Sequence, residues 1–238
     1  MSSQTKTPLS SSGSVIGPDH KNKLSWSTPG SVEKNLPHLV QAHTSILSLP
    51  EIRTVLEVAS GFGDHLLAYA EVAPKVEFWP TECNHYLVSK LQERFSKTSK
   101  RNVKSPRELD VLEDAHWEGL RRDVSSPFDF ISVTNLLNVT PWQVTQKLFQ
   151  QIGRLDRPIL NKEHGILAVY CCLKQGGEFL SEKDKKFDAN LRSRDPEFGI
   201  RNLDDIVTLA TAHNLHLATA ETPGGGTNLF LLFKNNMQ

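Results

Sequence analysis

Val55-Leu56-Glu57-Val58-Ala59-Ser60-Gly61-Phe62-Gly63-Asp64-His65 decides the reading of this chain. An apolar run ends in an acid, turns through two glycines and restarts as Leu66-Leu67-Ala68-Tyr69-Ala70. That pattern predicts a buried strand, a tight turn and a helix start. Glycine lets the backbone turn sharply and lets a ligand approach the main chain closely. A carboxylate at the strand end repels an anion, which argues against phosphate as the ligand. It suits a cationic ammonium or sulfonium instead. Taken alone, the short pattern also fits an ordinary glycine-rich turn of an α/β protein.

Outward from this stretch, strands and helices alternate. Ser31 to Leu47 has roughly helical apolar spacing, with Ser31 as a candidate N-cap. Arg53 to Val58 is the first strand and Gly63 to Ala73 its helix. Val76 to Pro80, Val103 to Leu109, Phe128 to Val133 and Gly165 to Cys172 read as further strands. His85 to Lys97, Trp142 to Leu155 and Asp204 to Asn214 read as helices. His216 to Thr222 and Asn228 to Lys234 flank Pro223-Gly224-Gly225-Gly226-Thr227 as a hairpin. Alternating βα units predict a doubly wound α/β fold, and a closing hairpin adds an antiparallel strand. The expectation is the class I methyltransferase version of that fold: a mostly parallel seven-stranded sheet with a C-terminal antiparallel hairpin strand.

The chain has 238 residues, enough for one sizeable domain. Residues 1–22 are rich in Ser, Thr, Gly and Lys and nearly free of large apolar side chains, so they are expected to form a flexible tail. Order is expected from near Trp26, within a single domain over 23–238. Lys+Arg and Asp+Glu both total 27, so no basic excess draws the chain to nucleic acid or an anionic membrane. Lys183, Lys185 and Lys186 alternate with Glu182 and Asp184 and read as a solvated loop or helix start. Cys83, Cys171 and Cys172 are odd in number, two of them adjacent, which fits reduced thiols and a cytoplasmic location better than disulfides. No apolar run approaches the roughly 20 residues of a membrane span, and no secretion or transit signal is recognisable.

Ligands of doubly wound sheets bind at the carboxyl ends of the strands. Acids recur there. Glu57 ends the first strand. Glu82 lies just past the second, roughly 20 residues beyond Gly63, the usual distance from a glycine turn to a ribose-binding acid. Asp110 ends the third, where a carboxylate can accept the exocyclic amine of adenine while Val111 packs on the ring. With E-x-x-S-G-x-G they point to S-adenosylmethionine, held by Glu57, Ala59, Gly61, Gly63, Glu82, Asp110, Val111 and Asn135. Helix-capping or loop acids are the alternative. Asn135 and Asn138 follow the fourth strand, beside the expected acceptor, though both types also cap helices. The nine histidines form no H-E-x-x-H or H-x-x-x-H pattern, so no metal site is expected.

On these residues the chain resembles the methyltransferase-like protein 26 family. Glu33-Lys34-Asn35 is similar to that family's E-R-N, and Leu56 to His65 to its L-E-V-A-S-G-S-G-Q-H. Asn135 to Trp142 is similar to N-M-x-H-x-S-P-W. Phe187 to Arg201 is similar to F-D-x-x-L-R-x-R-[DN]-P-x-W-G-x-R. Phe62, Asp64, Asn138 and Tyr170-Cys171-Cys172 depart from the family pattern. The resemblance implies a retained cofactor pocket and a changed acceptor side.

The resulting expectation is an S-adenosylmethionine-dependent methyltransferase acting on a small molecule, an O-methyltransferase of a biosynthetic pathway. A cofactor-binding protein that rearranges or cyclises its substrate, or a non-catalytic binder, is the alternative. His65, Tyr170, Asp188 and Asp195 are candidate bases. Asn138, Trp142, Arg192 and Arg201 are candidate substrate contacts. The arginines either bind an acidic substrate or pair with Asp188, Asp195 and Asp205. The segment 173–201 is expected to close over the acceptor, with Arg201 and Tyr170 facing the same cavity as Asn138, because long excursions in compact domains are usually functional. Since residues 1–22 offer no apolar face, their removal should leave the melting temperature within a few degrees in a thermal denaturation series.

Overall fold

Apolar runs such as Val55–Val58 and Phe130–Val133 become strands whose two faces are both covered by helices, which explains their near-continuous hydrophobicity. A computed structural model of the protein describes residues 31–235; the expected tail and the onset of order near Trp26 lie outside them. The chain runs α1 (Ser31–Leu47), β1 (Thr54–Val58), α2 (Asp64–Val72), β2 (Glu77–Glu82), α3 (His85–Ser96) and β3 (Arg107–Glu108). It continues as α4 (Asp114–Asp123), β4 (Phe130–Thr134), α5 (Trp142–Ile152), β5 (Ile166–Lys174) and α6 (Glu182–Arg194). β6 (Arg201–Asn202), α7 (Leu203–Ala212), β7 (Leu215–Glu221) and β8 (Asn228–Asn235) complete it.

The strand order is β3-β2-β1-β4-β5-β8-β7. β1 to β5 pair in parallel, whereas β8 is antiparallel to both β5 and β7. This is the doubly wound class I methyltransferase arrangement. An eighth strand, β6, was not expected; it is two residues that pair with Leu173 and Lys174 beyond the end of β5. Strand order reverses between β1 and β4, which leaves a crevice above their carboxyl ends.

Two cores follow from strand alternation. Leu56, Val58, Ile131 and Val133 meet α4, α5 and α7 through Trp117, Leu148, Phe149 and Ile206. Val55, Phe130, Ala168 and Tyr170 meet α1, α2 and α3 through Leu39, Leu66, Tyr69 and Leu91. α5 earns its place by spacing: Val144, Leu148, Phe149 and Ile152 line one face and are buried. α4 was not anticipated, because Trp117 and Leu120 are its only large apolar anchors and Gly119 interrupts it. Trp117 compensates by complete burial and by donating its indole N–H to the Val111 carbonyl at 2.9 Å. The stretch around Lys183, read as a solvated loop or helix start, begins α6, and Ser181 caps it by accepting the Asp184 amide at 3.1 Å.

At the opposite end of the sheet, Asp129 knots β1 to β4. One carboxylate oxygen accepts the amides of Arg53 and Thr54 at 2.9 and 3.0 Å, and the other meets His164 Nε2 at 2.8 Å. Burial opposes its ionisation, but these hydrogen bonds outweigh burial and hold its pKa below the usual value.

α5 ends at Gly153, which packs against the end of α7. A Cβ there would stand 1.7 Å from the His213 carbonyl oxygen, a backbone atom that no rotamer change can move. Gly153→Ala should therefore separate two helix ends and cost about 1–3 kcal/mol, read as a lower denaturation midpoint at unchanged slope.

Candidate functional site

The turn between β1 and α2 is the floor of the site. Ala59, Gly61 and Gly63 all have positive φ, 60°, 56° and 80°. The strand ends hold this strained path in place. Ser60 donates its amide to the Thr81 carbonyl at 2.8 Å, and the Thr81 hydroxyl donates to the Glu57 carbonyl at 2.8 Å. Glu82, the last residue of β2, accepts the Gly61 amide on Oε2 at 3.0 Å and the Cys83 amide on Oε1 at 2.8 Å. Oε2 keeps lone-pair capacity for a further donor, whereas Oε1 also receives the Cys83 thiol and the Asn84 amide, both at 3.4 Å.

The two glycines have different jobs. A Cβ on Gly61 would meet nothing within 4 Å, and Gly61 lines the cavity. A Cβ on Gly63 would strike Phe95 at 2.6 Å and Leu91 at 2.9 Å. Gly63 lets α2 start against α3 and does not line the cavity, so its expected place as a cofactor contact is corrected to a packing role.

The cavity measures about 550 Å³ and lies over the carboxyl ends of β1 to β5. That is in the usual range for small-molecule sites. It gathers Ala59, Gly61, His65, Glu82, Asp110, Val111, Asn135, Asn138 and Tyr170 from the expected set. Asp110 is buried and one of its oxygens accepts the Leu112 amide at 3.0 Å, a loop role that occupies part of its capacity. Asn135 is at φ 57° and donates its amide to the Tyr170 carbonyl at 2.7 Å. Asn138 is buried; its amide group donates to the Cys172 carbonyl at 3.1 Å while its Oδ1 has no hydrogen-bond partner. Burial holds His65 below its ordinary pKa, so the imidazole is neutral at pH 7. Burial raises the Tyr170 phenol, partly offset by Asn228, so it stays protonated and suits donation.

Trp142, Arg192 and Arg201 are not brought to this cavity. They border a separate cleft with Lys174, Gly177 and Asp205. The Arg201 guanidinium is used by carbonyls, donating to Leu137 at 3.1 Å, Thr140 at 2.6 Å and Glu197 at 2.8 Å. Arg192 pairs with Asp188 at 2.8 Å. The expected meeting of Arg201 with Tyr170 and Asn138 in one cavity is therefore corrected: Arg201 buttresses the α6–β6 corner instead. Asp188 also accepts the Ile200 amide at 2.6 Å, which ties it to that corner. Glu57 is 3% exposed and lies beneath the cavity surface.

Other walls were not foreseen. The 223–227 turn, read as a simple hairpin loop, lines the cavity, and His38 of α1 packs against Gly224. Lys183, Asp184 and Phe187 of α6 close the far side. Their signal was the spacing behind the Ser181 cap, which puts Asp184 and Phe187 on one helix face. Asp184 accepts the Thr227 hydroxyl at 2.9 Å and so docks α6 onto the hairpin. Among the described residues no cluster of three His, Cys, Asp or Glu is arranged to hold a metal ion. No described helix is long and apolar enough to cross a membrane.

Solved structures share this architecture. The mitomycin 7-O-methyltransferase MmcR matches with TM-score 0.66 at 13% identity, over 90% of this chain and 60% of that one. CalO1, a methyltransferase in calicheamicin biosynthesis solved in its SAH-bound form, matches with TM-score 0.65 at 16% identity, over 91% and 58%. An O-methyltransferase family protein from Burkholderia thailandensis matches with TM-score 0.62 at 12% identity, over 91% and 62%. The chain thus spans about three fifths of the length of these proteins, and at such identities the likeness is one of fold. The sequence itself is matched over residues 31–235 by one family model, and the chain accordingly belongs to the family described as protein of unknown function DUF938.

Proposed function

We propose that the protein is an enzyme that transfers the methyl group of S-adenosylmethionine to a small molecule, with oxygen as the acceptor atom, in a cytoplasmic biosynthetic pathway. One observation carries the reading. The open side of Gly61 faces a cavity of about 550 Å³ in which Glu82 and Asp110 stand at successive strand ends. That is space for a ligand against bare backbone, flanked by acceptors of the kind a ribose and an adenine amine require. Glu82 would hold the ribose hydroxyls, Asp110 and Val111 the adenine, and Ala59 and Asn135 the remainder. The likeness to MmcR and to SAH-bound CalO1 supports the same cofactor. The motifs shared with the methyltransferase-like protein 26 family support it too.

When bound, the cofactor supplies an electrophilic methyl group on a sulfonium. The chain's own contribution is to hold the acceptor in line and to keep water out. Phe187 and Leu136 present apolar surface to the cavity. A hydroxyl acceptor must lose its proton as it attacks, and a positioned base adds ~10²–10⁴-fold. Neutral His65 lines the cavity and can accept that proton on a ring nitrogen, while Tyr170 can orient the acceptor by donation. Lys183 is the only Lys or Arg lining the cavity among the described residues, which supports a small molecule over nucleic acid.

Glu82→Ala removes two charge-assisted hydrogen bonds to the ribose, each worth roughly 1.5–3 kcal/mol, so affinity for S-adenosylhomocysteine should fall at least about tenfold by calorimetry. Gly61→Ala should do the same, because its methyl occupies ligand space at the cost of positive-φ strain of about 1–2 kcal/mol. Melting curves on both variants separate lost binding from lost folding. Wild-type affinity in either folded variant would sink the assignment.

A further inference from the structure

Five buried side-chain oxygen or nitrogen atoms among the described residues have no hydrogen-bond partner. Three of them, Glu57 Oε2, Tyr69 Oη and Thr134 Oγ1, belong to one neighbourhood. Glu57 and Thr134 stand at the ends of adjacent strands β1 and β4, which pair Val58 with Val133. Both point to the face covered by α2, where Tyr69 is buried. The Tyr69 phenol lies near the Thr134 hydroxyl and feels the Glu57 charge, although neither hydroxyl completes a hydrogen bond. Buried orphans of this kind are costly, and three together call for an explanation.

The groups around the Glu57–Tyr69 pair are neutral or negative. Ser60, Asp64 and Glu82 act on Glu57, while His43 of α1, His65 of α2 and Tyr170 of β5 meet Tyr69. Burial drives His43 down to about 3; its rings stack on Tyr69 at 4.2 Å, and it bonds Leu39 and Ser132, so it stays uncharged. Among the described residues no Lys or Arg stands with Ser60, Glu82 and Asp64 as an influence on Glu57. Burial, with Glu82 and Asp64 adding to it against a smaller effect of Ser60, pushes the Glu57 carboxyl up to about 8. Four residues of this neighbourhood, Asp64, His65, Glu82 and Thr134, line the cavity.

We infer that Glu57 senses the charge of the bound ligand: it holds a proton until a cation occupies the cavity, then releases it, and the Tyr69 and Thr134 hydroxyls turn to donate to the carboxylate. The bond that breaks is the Glu57 carboxyl O–H. The proton leaves to solvent, no electron moves, and the negative charge is balanced by the incoming cation. The inference rests on the cofactor reading above and deepens it. S-adenosylmethionine carries a sulfonium that S-adenosylhomocysteine lacks, so Glu57 favours the substrate form of the cofactor over its product.

Calorimetric titration of the full chain at pH 7 with each of these two compounds, in phosphate and in Tris, counts protons exchanged on binding. Wild-type protein should release about 0.5–1 more proton with S-adenosylmethionine than Glu57→Gln does, and less with S-adenosylhomocysteine. Glu57→Gln should also shrink the preference for the sulfonium compound by about tenfold. Tyr69→Phe, which removes one donor to the carboxylate, should give an intermediate proton count. The stability profile is an independent reading. A carboxyl raised to about 8 in the folded state favours folding below its unfolded value, and that contribution is lost as pH rises through 8. The melting temperature of Glu57→Gln should therefore gain on wild type between about pH 5 and 8 and run parallel above. Equal proton release in wild type and Glu57→Gln overturns the inference and leaves the cofactor reading standing. Failure of wild type to bind either compound overturns both.

Discussion

The hydrogen bond from the Gly61 amide to Glu82 Oε2 is the constraint on which the site depends. Between Val58 and Asp64 the backbone takes positive φ three times, once at Ala59, where a side chain makes it unfavourable. Such a path survives only if its surroundings determine it. Thr81 and Glu82 do so from the neighbouring strand, with Thr81 bonded to Ser60 and to the Glu57 carbonyl and Glu82 to the loop amide. One acid therefore sets the shape of the glycine turn and lines the cavity. Deleting it removes the support of the turn together with any ligand contact, which is why the open face of Gly61 is the cleaner probe.

The position of the site follows from the difference between the two sheet faces. On one face, residues such as Leu56, Val58, Ile131 and Val133 are uniformly apolar and packed by α4, α5 and α7. On the other, polar residues interleave with the core: Glu57, Ser132, Thr134 and Tyr170, met from above by His43 and Tyr69. Such a seam lowers stability unless each group is satisfied. At its inner end it is satisfied, since His43 bridges Leu39 and Ser132. At the outer end, nearest the cavity, it is not. The unsatisfied end is where a ligand can complete the arrangement.

Much of this was legible in the residues, and the remainder divides by physical cause. Alternation of apolar runs with helical spacing located the parallel strands and the helices other than α4 and α6, because those runs are buried on both faces. The acids at three strand ends were readable since the parallel sheet places strand ends together. What spacing does not encode is where a side chain is spent. Arg192 and Arg201 read either as anion ligands or as partners of nearby acids; Asp188 takes Arg192 as the second reading has it, whereas backbone carbonyls take Arg201. Gly61 and Gly63 look equivalent in sequence and differ only in what a Cβ would meet. α4 escaped notice because two large anchors suffice when one is a buried tryptophan. The glycine turn at 223–227 read as a hairpin because its contact with His38 joins elements far apart in the chain.

The arginine-rich segment after α6 then has an indirect role in the site. Arg201 fastens the β6 corner to the carbonyls of Leu137 and Thr140, and the Gly199 amide bonds the Asn138 carbonyl at 3.0 Å. Asp188 holds both Arg192 and the Ile200 amide. These contacts fix the C-terminal half of α6, so its N-terminal half projects over the cavity with Lys183, Asp184 and Phe187 inward. The Asp184–Thr227 bond then latches that end to the hairpin. α6 is anchored firmly over its C-terminal half, while its N-terminal end is held through Asp184, which meets both Thr227 and the Cys172 thiol. The Phe187–Arg201 motif thus divides between two tasks: Phe187 lines the cavity, and Asp188, Arg192 and Arg201 brace the corner behind it.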